Sequence, residues 1–263
     1  MSSLGYHIRI RLSDDRVIAS DQRQRRILAR AVLEQGRSSG LFVFGFPDHH
    51  LHIGARCNRK DAGGLAHRIG VSLKRRLDLP VGFVQHPPKP IADTWHAYNL
   101  VEYLLTQPEH HELDPRLDPR HDASSLPDLL GLRLVGSYAA QHVRRWLPRL
   151  RRTTALKWLG VPTLEPADEP LSGIVEATLA AGCRSDLAGS AKEVIDLRCA
   201  AVKIIGNRYP IAEIASMLDV SRRTVVWLRG RPVSEQLLRA VRLQLNLSAQ
   251  KNLAHCPERA ELG

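Results

Sequence analysis

The first hundred residues contain hydrophobic patterns of two kinds, one typical of strands and one typical of helices. In residues 6–12 apolar and polar positions alternate, which predicts a half-buried strand with a basic outer face. Short apolar-rich segments at residues 41–46, 50–55 and 81–85 predict three further strands. The alternating strand carries Tyr6, Ile8, Ile10 and Leu12 on its apolar side and His7, Arg9 and Arg11 on its polar side.

Helical spacing appears between these strands. Asp21 predicts a helix start, with Gln24 at capping-box spacing, and Gly36 predicts the end of that helix. Apolar positions from residue 62 to 77 and from 94 to 107 predict two more helices, the second closed by a following proline. The order β-α-β-β-α-β plus one helix is that of a ferredoxin-like split βαβ domain with an antiparallel sheet, so we expect the α+β class.

Residues 211–229 show a second amphipathic pattern, two short helices joined by a tight turn. Ile214 and Leu218 face inward from the first helix, Ser221 has the side chain of an N-cap, and Val225 faces inward from the second helix. This pattern resembles a helix-turn-helix of transposases and regulators, whose second helix enters the major groove of DNA. The alternative interpretation is an ordinary helical hairpin with a basic surface.

Changes in composition along the chain predict its domain organisation. A polar, turn-rich stretch ends the strand-containing region, and a proline-rich stretch precedes the last helices. The predicted divisions are a first domain at 1–125, a basic helical segment with a proline-rich linker at 126–173, a helical domain with the helix-turn-helix at 174–250 and a tail at 251–263.

Length and composition are those of a globular protein. The chain has 263 residues, of which 43% are hydrophobic and 25% charged. No run approaches the roughly 18 apolar residues of a membrane span, and the first residues lack the apolar core of a signal peptide. The 4 cysteines lie far apart without a CxxC pair. We therefore expect a cytoplasmic, nucleoid-associated protein with no membrane partner.

The charge balance points to a partner. Lysine and arginine total 38 against 27 aspartates and glutamates, a formal net charge of +11, and only 7 of the 38 are lysine. Arginine binds phosphate through two parallel hydrogen bonds and stacks on bases, so this composition favours a nucleic-acid partner. A GC-rich genome, which enriches arginine without functional cause, is the alternative explanation.

The segment Pro-Asp-His-His-Leu-His at residues 47–52 is a candidate metal site. His50 and His52 lie two apart on a predicted strand, so their imidazoles share a face while Leu51 points to the core. Two such imidazoles can converge on one divalent metal ion. If His49 and Leu51 occupied that face instead, the pair would be lost, and accidental histidines on a surface strand remain the plainer alternative.

The helix at residues 94–107 contributes a candidate nucleophile. Tyr98 belongs to its apolar stripe, whereas Tyr103 lies on the opposite side, in line with His96 and Leu100. Gln107 follows Tyr103 by four residues and therefore lies beside it, where its amide oxygen could complete a metal site.

Together these motifs resemble the single-tyrosine HUH transposases, where HUH stands for histidine, hydrophobic residue, histidine. The resemblance covers roughly residues 5–115 in order and is closest to the REP-associated tyrosine transposases. It implies that Tyr103 is the nucleophile and that His50, His52 and Gln107 bind one Mg²⁺ or Mn²⁺. Here Gln107 replaces the asparagine common in that family, and one extra residue separates the aspartate from the histidine pair.

The resemblance implies metal-dependent cleavage and strand transfer of single-stranded DNA, on hairpin or REP-like sequences, through a 5′-phosphotyrosine. Duplex DNA is an expected second partner, and the protein is expected to be a monomer or a homodimer. The expected DNA-binding residues are basic or polar positions on the first strand, in the basic helical segment and at the start of the second helix of the helix-turn-helix: Arg9, Arg11, Arg144, Arg145, Arg149, Arg222, Arg223 and Thr224.

Two other functions compete with this one. A domesticated, catalytically inactive member would act as a DNA-binding regulator through the helix-turn-helix. A metal-dependent hydrolase unrelated to DNA would also use the histidines, but the arginine content and the helix-turn-helix pattern argue against it. A covalent adduct between Tyr103 and DNA would separate the enzyme from the regulator.

Overall fold

The computed structural model describes residues 3–47, 49–106, 122–167 and 171–254. The chain divides into two compact units, Met1–Gly160 and Val161–Gly263. The division between these units lies inside the predicted segment 126–173. Its residues 126–160 belong to the first unit and its residues 161–173 to the second.

The first unit contains a five-stranded antiparallel sheet and helices, which confirms the expected α+β class. The strand order is β2-β3-β1-β4, and β5 also pairs with β1. Its elements are β1 (Gly5–Leu12), α1 (Gln22–Gly36), β2 (Leu41–Gly45), β3 (His50–Ala55), α2 (Arg59–Arg76), β4 (Phe83–Gln85), β5 (Lys89–Ile91), α3 (Thr94–Thr106), α4 (Leu126–Leu130), α5 (Ser137–Trp146) and α6 (Arg152–Leu159).

Local capping explains where the first two helices begin. Asp21 accepts a hydrogen bond from the backbone N–H of Gln24 at 2.7 Å, and the Gln24 side chain accepts one from the N–H of Ser20 at 2.8 Å. The predicted reciprocal cap is therefore present, with its return bond shifted by one residue. Asn58 caps α2 in the same way, accepting from the N–H of Asp61 at 2.9 Å.

The pairing of β1 with β3 sets the two faces of the sheet. Ile10 lies opposite Leu51, and both are fully buried on the face covered by α1 and α2. Arg9 lies opposite His52 and Arg11 opposite His50. Because directly opposed residues share a face, the basic side of β1 and both histidines lie on the other side of the sheet.

In the part of the chain that the structure describes, α3 and α5 pack on that second face beside β2. A side-chain Cβ at Gly45 would lie 2.5 Å from the carbonyl oxygen of Leu104, so only glycine allows α3 this close. Further along β2, the rings of Phe42 and Trp146 meet edge to face with centroids 5.5 Å apart, which joins α5 to the sheet. Among the described residues, the part of this face that carries His7, Arg9 and His52 borders a cleft, and we refer to it as the open face.

The fifth strand was not predicted, since prolines interrupt its sequence. Pro90 has no N–H to donate, but a strand at the edge of a sheet needs fewer such bonds. β4 pairs with β1 at Ile10–Leu12 and β5 pairs with it at Gly5–His7. The residues between them, 86–88, therefore pass the middle of β1 without pairing with it.

The chain returns to the edge of β2 after residue 121. The N–H of Phe46 bonds to the carbonyl of Ala123 and the N–H of Ser125 bonds to the carbonyl of Phe44, both at 2.9 Å. The Ser125 hydroxyl accepts from the N–H of Phe44 at 2.8 Å. These bonds satisfy backbone groups that an open edge strand would expose.

A buried ion pair supports this return. The guanidinium of Arg133 donates to both carboxylate oxygens of Asp128, at 2.8 Å and 2.5 Å, and to the carbonyl of Ser124 at 2.6 Å. A Cβ at Gly136 would lie 1.8 Å from the Asp128 carboxylate, so glycine is required beside the pair. A second buried pair joins Arg26 to Asp122 at 3.1 Å.

The second unit is helical over the residues that the structure describes. It contains α7 (Leu171–Gly182), α8 (Lys192–Ile205), α9 (Ile211–Met217), α10 (Arg222–Gly230) and α11 (Glu235–Ala254). The long helices α7, α8 and α11 pack together, and α9 and α10 form a hairpin with α10 against α8. Throughout the described parts of both units, no helix is long and apolar enough to cross a membrane.

We expect Arg133→Met to lower the free energy of unfolding of the first unit by about 3–5 kcal/mol, because it leaves the Asp128 carboxylate buried without its partner. A urea titration followed through the amide signals of β1 measures this. Arg16→Met is the matched control: its ion pair with Asp14 is solvent-exposed, so the change should stay below about 0.5 kcal/mol. Equal effects of the two substitutions would contradict the assignment.

Candidate functional site

The open face of the sheet carries a row of rings from two strands and one helix. The centroids of His50 and His52 are 6.1 Å apart, and that of Tyr103 lies 6.2 Å from His52 with the ring planes at 83°. His7, on β1, stacks on His52 with centroids 5.2 Å apart. The structure thus brings His50, His52 and Tyr103 to one surface.

The strand register determines which histidines belong to this row. Leu51 is fully buried on the opposite face, and His49 precedes β3. His50 and His52 therefore occupy the face that points toward Tyr103, as the alternation along the strand predicts. His50 is partly exposed, whereas His52 is only 6% exposed.

His7 is a polar neighbour of His52. Its Nε2 lies 3.0 Å from Nδ1 of His52, a hydrogen bond between two imidazoles. Burial, followed by the positive charges of Lys89, Arg9 and His96, lowers the pKa of His7 to about 4. The ring of His7 is therefore neutral near pH 7, when it can both donate and accept one hydrogen bond.

The remaining predicted metal ligand, Gln107, lies outside the described residues, as does Asp48 of the histidine motif. Among the residues that the structure does describe, no group of three or more histidine, cysteine, aspartate or glutamate side chains is placed to hold a metal ion. Burial, with a smaller contribution from Asp61, raises the pKa of Cys57 to about 11, so this thiol is protonated near pH 7. Among the described residues, the predicted metal ligands are therefore the imidazoles of His50 and His52.

The two tyrosines of α3 differ in their surroundings. Tyr103 is 47% exposed, while Tyr98 is half-buried and stacks on Trp95 with centroids 6.1 Å apart. Tyr98 therefore lies at the margin of the apolar stripe and not at its centre. Leu100, which helical spacing put in line with Tyr103, is only 6% exposed, because the packed face of α3 is wider than the predicted stripe.

A cleft of about 610 Å³ opens beside this row of rings. One wall is the unpaired stretch between β4 and β5, and the other is formed by β1 and α3. The lining is basic and proline-rich: Tyr6, His7, Arg9, His52, Arg59, His86, Pro87, Pro88, Lys89, Pro90 and Tyr103. The sequence pattern indicates His7 only as part of a basic strand face. No local signal marks Arg59, His86 or Lys89, because the cleft forms between strands that are distant in sequence.

In the first unit, the arginines predicted to bind DNA lie on β1 and on or after α5. Arg9 is exposed in the cleft, with its guanidinium 3.4 Å from Nε2 of His86, and Arg11 is ion-paired with Asp15. Three others are exposed on or after α5 and do not line the cleft: Arg144, Arg145 and Arg149.

Aromatic packing leaves the arginines of α5 on its outer side. His142 contacts the carbonyl of Leu41 at 2.8 Å and stacks on Trp146, whose ring lies 4.7 Å from the guanidinium of Arg56. The face of α5 that these rings form is turned to the sheet. The adjoining Arg144 and Arg145 are therefore held at the surface of the first unit.

The hairpin of the second unit has the cap and turn that its sequence predicts. Ser221 accepts from the N–H of Thr224 at 3.1 Å, and Asp219 adopts a left-handed conformation, φ 49°, between α9 and α10. Arg222 and Arg223 are exposed at the start of α10 and Thr224 is partly exposed. Two large apolar side chains further along α10 are also exposed, Val226 at 56% and Trp227 at 48%.

Comparison of the chain with protein-family models, with curated proteins and with solved structures finds no match.

We expect Ser221→Ala to destabilise the second unit by about 1 kcal/mol, since it removes the acceptor for the first orphan N–H groups of α10. Thermal unfolding monitored by the amide signals of α10 measures the loss. Ser216→Ala, at an exposed position within α9, is the matched control and should change stability by less than about 0.5 kcal/mol. A loss as large in the control would show that the hydroxyl of Ser221 is not acting as a cap.

Proposed function

We propose that this protein is a metal-dependent enzyme that cleaves and rejoins single-stranded DNA, with Tyr103 as the nucleophile. The observation that carries the proposal is the placement of an exposed Tyr103 ring 6.2 Å from His52, which shares a strand face with His50. A hydroxyl nucleophile beside a pair of imidazoles is what phosphoryl transfer to tyrosine requires.

The fold supports the proposal in a second way. The four main strands lie in the order β4-β1-β3-β2, antiparallel, with α1 and α2 together on one face. This order is that of a ferredoxin-like split βαβ domain, in which the open face presents the two central strands. The histidine pair of this chain lies on β3, one of the two central strands.

The donor chemistry fits a divalent metal ion. His50 and His52 would supply imidazole nitrogens, and Gln107, four residues after Tyr103 in the sequence, would supply an amide oxygen. Imidazole and oxygen ligands together suit Mn²⁺ and are acceptable to Mg²⁺. When bound, the ion would polarise the scissile phosphate and offset charge that develops on it.

The reaction at Tyr103 is an in-line displacement. The phenolic oxygen attacks the phosphorus, the bond to the 3′ oxygen breaks, and the phenolic proton is lost while the 3′ oxygen gains one. The product is a 5′-phosphotyrosine and a free 3′-hydroxyl, and attack of a 3′-hydroxyl on the phosphotyrosine reverses the step. Bond energy is conserved, so rejoining needs no nucleotide cofactor.

The charge and shape of the site favour a single strand as substrate. Arg9, Arg59 and Lys89 line the cleft beside Tyr103, and side-chain cations in a groove track a phosphate backbone. A cleft of about 610 Å³ is within the size range of pockets that hold a small ligand such as a nucleotide.

The second unit supports an additional contact with duplex DNA. Its hairpin, with a capped α10 that exposes Arg222 and Arg223, resembles a helix-turn-helix, whose second helix contacts base edges with its first residues. In this proposal the first unit carries the chemistry and the second contributes duplex affinity.

Tyr103→Phe should abolish DNA cleavage and the covalent protein–DNA adduct, because it removes the attacking oxygen. The assay is a denaturing gel of the full chain with labelled hairpin single strands and Mn²⁺ or Mg²⁺. Folding and duplex binding should persist, since an exposed hydroxyl contributes little to stability.

Tyr98→Phe is the matched control on the same helix and should retain cleavage, because Tyr98 packs on Trp95 at the margin of the core. An adduct formed by the Tyr103→Phe protein and lost from the Tyr98→Phe protein would identify the other tyrosine as nucleophile. Wild-type protein that forms no adduct on any hairpin strand would favour the DNA-binding regulator.

Removing charge should reveal which arginines contact phosphate. The double substitutions Arg9→Gln with Arg11→Gln, and Arg144→Gln with Arg145→Gln, should each lower the slope of log affinity against log salt by about 0.7–1 per lost contact. Arg16→Gln, an exposed arginine paired with Asp14, should leave the slope unchanged. Binding of a labelled single strand across a salt series gives the slopes, and an unchanged slope in a double variant would mean that its charges are only solvated.

A further inference from the structure

We propose that His7 is a positioning residue for His52: it accepts a hydrogen bond from Nδ1–H of His52 and thereby fixes the tautomer whose Nε2 carries a lone pair for a metal ion. The inference rests on the proposed function for the identity of the ligand. The hydrogen bond itself is independent of that function.

The geometry of the contact is specific. Nε2 of His7 lies 3.0 Å from Nδ1 of His52, and the two rings stack with an angle of 22° between their planes. His52 is 6% exposed, so its ring is held by protein groups and not by solvent. Only one of the two nitrogens in this contact can carry the shared proton. The tautomer of one imidazole therefore determines whether the other ring donates or accepts.

The sheet register explains why His7 reaches His52. His7 lies directly opposite Gly54, and His52 is the diagonal neighbour on the same face. A Cβ at Gly54 would lie 2.7 Å from the Phe42 ring and from a methyl group of Val43, so this position must be glycine. With no side chain opposite it, the imidazole of His7 extends along the strand to His52.

The direction of the hydrogen bond follows from the role of His52. A neutral imidazole carries one proton, and a nitrogen that binds a metal ion must be unprotonated. If Nε2 of His52 is the ligand, its proton is on Nδ1 and His7 must accept it. Metal-binding histidines commonly donate their other ring N–H to a neighbouring acceptor, which orients the ring and increases its basicity.

The tautomer can be read directly from the metal-free full-length chain. Long-range ¹H–¹⁵N correlation spectra of the histidine rings should show His52 protonated at Nδ1 and unprotonated at Nε2. His7→Phe removes the acceptor and should shift His52 toward the Nε2-protonated form, whereas His7→Gln keeps an acceptor oxygen near the same place and should preserve the wild-type tautomer. Wild-type His52 protonated at Nε2 would overturn the proposal.

Metal affinity is the second measurement, made by titrating Mn²⁺ and following free Mn²⁺ by electron paramagnetic resonance. His7→Phe should weaken binding by about 10- to 100-fold, and His7→Gln should recover most of that loss. His86→Gln is the matched control, because His86 lines the same cleft but bonds to Arg9 and not to His52, and it should leave both the affinity and the His52 tautomer unchanged.

The outcomes separate this inference from the proposed function. A wild-type protein that holds His52 in the Nδ1-protonated form but binds no Mn²⁺ supports the role of His7 and contradicts the metal dependence proposed above. Unchanged Mn²⁺ affinity in a folded His7→Phe protein overturns the positioning role while leaving the proposed function intact. Equal losses in His7→Phe and His7→Gln would instead make His7 itself a ligand, which also overturns the proposal.

Discussion

The antiparallel pairing of β1 with β3 is the constraint on which the first unit depends. Each residue of β1 has a fixed partner, so Ile10 meets Leu51 in the core while Arg9 meets His52 on the open face. A slip of one residue would exchange the two faces, burying the arginine and the histidine and exposing the core. The core and the candidate site are therefore specified by the same register.

The candidate site forms because the described helices cover only part of the sheet face that carries the histidines. α3 lies over β2 because Gly45 lets the Leu104 carbonyl approach, and α5 packs beside it through Trp146. In the described residues, His52 and His7 border a cleft beside α3, and Tyr103 lies next to His52 at the edge of that helix. The buried ion pairs near residue 122 hold the returning chain against β2, away from that opening.

The positions of the arginines make the net charge of +11 more informative than composition alone. Arginines spread evenly over a surface would indicate little more than composition. Here Arg9 lines the cleft at Tyr103, and Arg144 and Arg145 are exposed on a helix whose aromatic side is packed on the sheet. The second unit adds Arg222 at the start of a capped helix, so each unit exposes arginines at its surface.

The sequence by itself determined the features that depend on short-range periodicity and on helix capping. The alternation along β1, the shared face of His50 and His52, the exposure of Tyr103 and the cap at Ser221 all follow from neighbours within four residues. The tertiary structure alone decided the rest: the pairing of a proline-bearing β5, the packing of α5 on β2, the cleft and the contact of His7 with His52. These features join positions far apart in the chain, and no local pattern encodes a contact that forms only when distant strands pair.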